Sequence, residues 1–176
     1  TMTRTAIAAK LNQHKPEPFV EVHPIDAQHY GISANTLAVI ESPWGSMIAR
    51  VQITDNQQQG CLFVPMHWTE QYASQGRMGA LVNPVVDPIS KQPESKHTPV
   101  RIKAYQPVWQ GFILSRRELT VTGSEYRVKI KGEQFYRYEL AGETLPEDWR
   151  SCVRKNLCNT NAENPQWQEY QDPGKG

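Results

Sequence analysis

The sequence predicts a mainly β fold, an antiparallel β-barrel with short helices, followed by a smaller α+β extension. Strand-length apolar runs recur along the 176 residues, separated by turn-forming Gly, Pro and Asn. Helical spacing over more than two turns appears only at 147–157. Hydrophobic residues make up 38% of the chain, which excludes disordered and collagen-like sequence and suits one domain or one domain with an appendage.

The first elements follow a polar arm over 1–18. Its Pro16-Glu17-Pro18 ending enforces extended backbone, because each proline fixes φ and restricts the residue before it. The apolar run 19–22 predicts a short strand. Residues 23–30 predict one or two helical turns that end at Gly31, a residue suited to a left-handed helix stop.

A continuous β signal then runs to position 103. Strands are predicted over 37–41 and 47–53, and the unbroken apolar run 61–65 is typical of a strand covered on both faces. The segment 66–99 shows little periodicity, and a loop of that length is usually functional or covered by a partner. The alternating run 100–103 closes this first unit.

The remainder of the chain predicts the α+β extension. Alternating or aromatic runs over 112–115, 126–131 and 135–140 predict three strands. Residues 147–157 predict a helix whose apolar face is formed by Trp149, Val153 and Leu157.

Charge gives little guidance to a partner, since the formal net charge is +1. Residues 101–138 hold eight basic and three acidic side chains, and residues 139–176 hold four and seven. This distribution favours a solvated, self-complementing surface. The alternative is a free-standing β-barrel that binds nucleic acid or a protein through the basic stretch.

The three cysteines, Cys61, Cys152 and Cys158, argue against a disulfide framework and for a reducing compartment. Their spacing does not suit zinc, so we predict buried thiols and no metal site in this chain. No apolar run approaches the 18 residues of a membrane span, and no secretory signal is visible. We expect the chain to be a fragment of a larger protein.

Catalytic motifs are absent from the sequence. It contains no Gly-x-Ser-x-Gly, His-Glu-x-x-His, P-loop or Gly-x-Gly-x-x-Gly, and its five histidines are scattered. The residues alone therefore predict a soluble β-rich binding domain with no catalytic residue.

The order of the motifs is more specific than any one of them. The motifs run in this order: Phe19-Val20-Glu21-Val22-His23-Pro24-x-Asp26-Ala27, Leu37-Ala38-Val39-Ile40-Glu41-Ser42, Gly45-Ser46-Met47, Gly60-Cys61-Leu62-Phe63-Val64-Pro65-Met66-His67-Trp68, Asn83, and Asp87-Pro88-Ile89-Ser90-Lys91-Gln92-Pro93-Glu94-x-Lys96. This order resembles the C-terminal molybdopterin-dinucleotide-binding domain of the dimethyl-sulfoxide-reductase superfamily. The opening Thr1-Met2-Thr3-Arg4 resembles part of a cofactor loop of nitrate reductases, and Trp109-x-Gly111-Phe112 with 136–142 resembles the bacterial assimilatory group.

The resemblance implies a six-stranded double-psi β-barrel. It divides the chain into an arm with a partial cofactor loop (1–18), the barrel (19–104) and a C-terminal extension packing on it (105–176). The domain would help to hold bis-molybdopterin guanine dinucleotide with molybdenum. The metal's protein ligand and an iron–sulfur cluster would lie in N-terminal domains of the same polypeptide, outside this chain, so the fragment alone would be inactive.

The resemblance also implies the cofactor-binding residues. These are Thr1, Thr3, Arg4, Met66, His67, Asn83 and Lys96. The Asn83 amide offers a donor and an acceptor to the heteroatom edge of a pterin, although it could instead satisfy loop backbone ahead of Pro84. Lys96 is a point charge for a phosphate or carbonyl. Met66 and His67 align with a substrate-funnel wall, where His67 as a proton donor is a further hypothesis.

The implied parent enzyme is a cytoplasmic assimilatory nitrate reductase that reduces nitrate to nitrite. A formate dehydrogenase, which shares the barrel, is the alternative within the superfamily. The resemblance predicts no nucleic-acid partner and no membrane partner.

Overall fold

The computed structural model describes residues 14–94, 96–157 and 168, arranged as two β-sheets with short helices. The strands are β1 (Phe19–Val22), β2 (Leu37–Glu41), β3 (Ser46–Ile53), β4 (Leu62–Phe63), β5 (Arg101–Tyr105), β6 (Trp109–Ser115), β7 (Tyr126–Lys131) and β8 (Tyr136–Gly142). The helices are α1 (Pro24–His29), α2 (Trp149–Leu157) and a 3₁₀ helix over Met78–Ala80. The predicted mainly β fold class with a small α+β extension is confirmed.

The first sheet has the strand order β4-β1-β3-β2-β5. β1 runs parallel to β3, and the other three pairs are antiparallel. Its core-facing side chains are almost fully buried because the apolar residues of these strands meet α1 and the 3₁₀ helix region. Within the described residues this sheet has five strands. Its closure into a six-stranded double-psi barrel stays a prediction.

The second sheet, of order β6-β8-β7, is antiparallel throughout. It shares a hydrophobic cluster with the first sheet, in which Phe19, Leu37 and Ile48 meet Tyr126 and Val128. A bridge from Ala73 to Val128 adds a short segment to the outer edge of β7. The two sheets therefore bury apolar surface against each other, and this contact sets the position of the elements described below.

The predicted strand over 61–65 is the least accurate of the strand predictions. Only Leu62 and Phe63 are paired, with β1, and β4 lies at the edge of the sheet. Phe63 is 48% exposed, so the prediction of a strand covered on both faces is wrong. An apolar run does not distinguish a central strand from an edge strand whose outer face is open.

The apolar face predicted for α2 is only partly covered. Trp149 and Val153 are 44% and 40% exposed. Trp149 packs edge-on against Trp109, with ring centroids 5.2 Å apart, and Leu157 packs against a hydrophobic cluster. The buried residue is Asn156, at 5% exposure. Its Oδ1 accepts a hydrogen bond from Thr122 N, and its Nδ2 donates to Thr122 O. A polar side chain that satisfies a loop backbone therefore docks this helix.

The thiols also differ from the prediction, because Cys61 is exposed and Cys152 is only partly buried. Cys61 lies just before an edge strand, where no neighbouring element covers it. Cys158 lies outside the described residues. No helix in the described part of the chain is long and apolar enough to span a membrane.

Candidate functional site

The predicted loop 66–99 consists of two parts with different environments. In the first, Trp68, Ala73 and Leu81 are buried. Trp68 packs edge-on against Phe19, with ring centroids 6.2 Å apart. Ile48 N donates a hydrogen bond of 2.8 Å to Gln75 O. Residues 66–82, called the anchored segment here, are therefore tied to the sheets and belong to the body of the domain.

At two glycines, the backbone packs closely where the anchored segment meets the rest of the domain. A Cβ on Gly76 would lie 2.6 Å from Ala73 Cβ and 2.8 Å from Pro18 Cγ. A Cβ on Gly45 would lie 2.5 Å from Ala80 O. Such distances leave no room for a side chain, so the backbone packs directly against its neighbours here.

The second part, called the projection here, consists of residues 83–94 and 96–97 and is largely exposed. Val85 and Ile89 are 67% and 92% exposed. An isolated antiparallel bridge joins Val86 to Pro93, and Asp87 N donates to Gln92 O at 3.0 Å. These apolar side chains are open to solvent in this chain, and the expectation that a partner covers them stays a prediction.

The tip of this projection is stabilised by Asp87. Its Oδ1 accepts hydrogen bonds from Ser90 N at 2.6 Å, Ser90 Oγ at 2.9 Å and Ile89 N at 3.0 Å. These bonds favour the carboxylate and lower the pKa of Asp87. Lys91 adopts a left-handed φ of 60°, and its Nζ donates to Pro88 O at 2.8 Å. The charge of Lys91 is thus directed to its own turn.

Asn83 and Lys96 lie at the two ends of the projection. Asn83 is half-buried, and its Oδ1 accepts a hydrogen bond of 3.1 Å from Val85 N. The sequence indicates such a bond to loop backbone as the alternative role of Asn83. The bond uses the Oδ1 acceptor, so the Nδ2 group is still a donor. Lys96 is exposed. The two residues are therefore both hydrogen-bond donors, one half-buried and one exposed, on either side of the turn along the chain.

Met66 and His67 lie in the short connection between β4 and the buried Trp68. Both are exposed, Met66 at 60%. In the described part of the chain, no hydrogen bond, ion pair or ring contact joins any two of Met66, His67, Asn83 and Lys96. The other predicted site residues, Thr1, Thr3 and Arg4, lie outside the described residues.

Sequence reasoning missed a polar network that fixes the end of the arm. The Arg50 guanidinium donates from Nε and Nη2 to the two carboxylate oxygens of Glu17, both at 3.0 Å, and from Nη1 to Asn35 O. Tyr126 OH donates to Glu17 Oε2 at 2.6 Å. The network thus joins the arm, β3 and β7. Its only sequence signal is a charged residue between the buried Ala49 and Val51.

The environment of the network perturbs two of its members. Burial lowers the pKa of Arg50, but the hydrogen bond and charge of Glu17 outweigh this effect, and the pKa is raised. Burial and the negative charge of Glu17 raise the pKa of Tyr126 well above its ordinary value. Arg50 therefore keeps its charge and the Tyr126 phenol stays neutral across the physiological pH range, so the network acts as a fixed structural tie.

Four of the eight basic side chains of 101–138 contact acids of the same domain. Arg101 and Lys103 both contact the carboxylate of Glu41. Two further ion pairs follow the same pattern: Lys129 with Glu118, and Arg137 with Glu139. The charge of these four side chains is thus partly balanced within the domain, and the expected lack of a nucleic-acid partner stays a prediction. Among the described residues, no group of three or more His, Cys, Asp or Glu is placed to hold a metal ion.

The first part of the chain matches a known protein family. A family model described as "Molydopterin dinucleotide binding domain" matches residues 1–99. The match therefore includes the arm, the strands up to β4, the anchored segment and the whole projection. The second sheet lies beyond it.

Individual relatives extend the comparison. The chain is 45% identical to "Nitrate reductase" of Klebsiella oxytoca over 149 residues, which is 85% of the chain and 17% of that protein. It is 34% identical to "Assimilatory nitrate reductase catalytic subunit" of Bacillus subtilis over 58% of the chain and 14% of that protein. It is 37% identical to "F420-dependent formate dehydrogenase 1 subunit alpha" of Methanococcus maripaludis over 54% of the chain and 13% of that protein. The chain thus spans less than a fifth of the length of these relatives.

Proposed function

Because the chain belongs to the molybdopterin-dinucleotide-binding domain family, we propose that it is the C-terminal cofactor-binding domain of a nitrate reductase. The observation that carries this proposal is the 45% identity to a nitrate reductase over 149 residues, a length that exceeds the family domain and includes part of the second sheet. The proposed cofactor is bis-molybdopterin guanine dinucleotide with molybdenum, which supplies two-electron oxygen-atom transfer from nitrate. The role of this chain is to bind and orient that group.

The donor set at the base of the projection fits such a ligand. A pterin dinucleotide is rich in carbonyl, ring-nitrogen and phosphate acceptors, and the Asn83 amide and Lys96 ammonium are donors. The bridge between Val86 and Pro93 joins the two arms of the turn, and Asn83 precedes it and Lys96 follows it in the chain. We infer that they hold the cofactor from opposite sides of this turn.

The remaining predicted residues take roles consistent with their positions. Met66 and His67, both exposed beside the edge strand β4, would line the substrate approach. Thr1, Thr3 and Arg4 would contact the cofactor's phosphates or pterin through hydroxyl and guanidinium donors. No residue of this chain is assigned a catalytic role, so the chain by itself is proposed to be inactive.

The proposed partner is the rest of the same polypeptide. The exposed apolar side chains of the projection, Val85, Val86 and Ile89, are the surface that it would cover. That portion would carry the metal's protein ligand and an iron–sulfur cluster. We place the enzyme in the cytoplasm, with nitrate as its small-molecule substrate and with neither a nucleic-acid nor a membrane partner.

The residue assignments are tested by molybdenum content in the full-length enzyme. Asn83→Ala and Lys96→Ala should each lower molybdenum per purified protein, since a lost hydrogen bond or charge contact costs about 1–3 kcal/mol. Lys91→Asn is the matched control. It removes a positive charge from the same turn, and Asn tolerates the left-handed backbone. Equal molybdenum loss in Lys91→Asn and Lys96→Ala, or none in Asn83→Ala, contradicts the assignment.

A formate dehydrogenase is the second candidate, favoured by the 37% identity to a formate dehydrogenase subunit. Full-length enzyme should reduce nitrate with reduced viologen and should not oxidise formate. The opposite result would replace the first proposal with the second. A salt-dependent affinity of the chain for oligonucleotides would instead support a nucleic-acid-binding module.

A further inference from the structure

A cavity of about 370 Å³ opens between the anchored segment, the start of β3 and β7. Arg77 and Arg127 line it from two different elements, and the hydroxyl-bearing residues Ser46 and Ser74 complete much of its polar wall. None of these residues belongs to the cofactor site proposed above. The size suits a small ligand rather than a single water molecule.

Both guanidiniums have donors to spare. Arg77 Nη2 lies 3.4 Å from Glu70 Oε1, and Arg127 Nη2 donates to Glu70 O, also at 3.4 Å. In the part of the chain that the structure describes, these long contacts are the only ones that either guanidinium makes. A guanidinium carries five N–H donors, so two of them facing one cavity form a set suited to an oxyanion.

Glu70 is the competing group in the cavity wall. The Arg77 and Glu70 side chains are 58% and 70% exposed, and an exposed ion pair of this length contributes little stability. An anion of higher charge can therefore displace the carboxylate. The net side-chain charge of the lining remains positive, because two arginines face one glutamate.

The walls of the cavity are held in place before any ligand binds. Ser74 N donates to Arg127 O at 2.8 Å, and Arg127 N donates to Ser74 Oγ at 2.8 Å. Gln75, also in the lining, has a left-handed φ of 52°, although it is not a glycine. A strained residue persists only where its surroundings fix it, and such residues concentrate at functional sites.

We propose that this cavity binds a phosphoryl group through the guanidiniums of Arg77 and Arg127. The site is independent of the proposed cofactor function, and either assignment can fail without the other. Free phosphate and a phosphate-bearing nucleotide share this chemistry, and the experiment separates them.

The test is a titration of the 176-residue chain with inorganic phosphate and, separately, with ADP, which lacks the guanine of the proposed cofactor. Binding is followed by the NMR signals of the arginine Nε–H groups. The signals of Arg77 and Arg127 should shift saturably, and sodium chloride at matched ionic strength should not reproduce the shift. Tighter binding of ADP identifies a nucleotide site, whereas equal affinities identify a phosphate site. No saturable shift up to about 10 mM of either ligand overturns the proposal.

Variants separate a built site from general positive charge. Arg77→Gln and Arg127→Gln should each raise the dissociation constant about tenfold, and Glu70→Gln should lower it about threefold. Arg101→Gln is the control, because Arg101 is 79% exposed, pairs with Glu41 and lies outside the cavity. Circular dichroism confirms that each variant is folded. An equal loss in Arg101→Gln, or unchanged affinity in Glu70→Gln, refutes the site.

Discussion

Tyr126 and Tyr105 are two buried tyrosines whose hydroxyl groups have different surroundings. Replacing each by Phe removes the same atom and should change the free energy of unfolding by different amounts. Both are buried, at 1% and 6% exposure. Tyr126 OH donates to the Glu17 carboxylate at 2.6 Å. Tyr105 OH is buried, and within the described residues it has no hydrogen-bond partner. A hydrogen bond to a charged group is worth about 1.5–3 kcal/mol, whereas removal of an unsatisfied hydroxyl is close to neutral or stabilising.

Tyr126→Phe should therefore lower the free energy of unfolding by about 2 kcal/mol, in the lower half of that range because Glu17 keeps its two bonds from Arg50. Tyr105→Phe should change it by less than about 0.5 kcal/mol or raise it. Urea unfolding of the chain followed by circular dichroism gives both values, and the Tm of Tyr126→Phe should fall by about 4–8 °C. Equal losses in the two variants, or the larger loss in Tyr105→Phe, would show that the Glu17 network is not the cause.

Three further predictions concern the contacts that hold the other elements. Asn156→Ala should cost about 1–3 kcal/mol by removing two part-buried hydrogen bonds to the Thr122 backbone, and Val153→Ala on the exposed face of the same helix should cost under about 1 kcal/mol in the same unfolding assay. Gly76→Ala should cost about 1–3 kcal/mol or more, measured as a fall in Tm, because its Cβ has no space. The pKa of Asp87 is lower in the folded protein than its unfolded value of 3.8, so the ionised carboxylate stabilises its turn above pH 3.8. This stabilisation is lost as the pH falls through the folded pKa. The NMR chemical shift of the Ser90 amide should therefore titrate with a midpoint below pH 3.8.

The strands were predictable where apolar and polar residues alternate along the sequence. Residues 126–131 were predicted as a strand from alternation alone, and β7 has those bounds. The Gly31 helix stop was also correct, with a φ of 64°. Such features depend on local pattern and on backbone chemistry, both of which a sequence contains.

The features that the sequence did not predict depend on contacts between distant parts of the chain. Tyr126 and Glu17 meet only because the second sheet packs against the first, and no local pattern indicates this pairing. The segment 66–99 looked uniform because anchoring by Trp68 and Gly76 depends on where Phe19 and Pro18 lie. Motif order singled out Asn83 and Lys96, whose contact with a cofactor stays a prediction, whereas the internal bonding of Asp87 and Lys91 is a property of the folded turn.

The strand order also has a consequence for the time course of folding. Among the described residues, β1 pairs only with β3 and β4, which both follow it in the chain, and the outer edge of β2 is completed by β5, whose residues lie beyond the whole 66–99 segment. In the described part of this first sheet, only the β2–β3 hairpin is local. During synthesis, an apolar strand and an open sheet edge therefore stay unpaired until distant residues have been made. Such a topology folds slowly, and the unpaired strand can associate with other chains in the meantime.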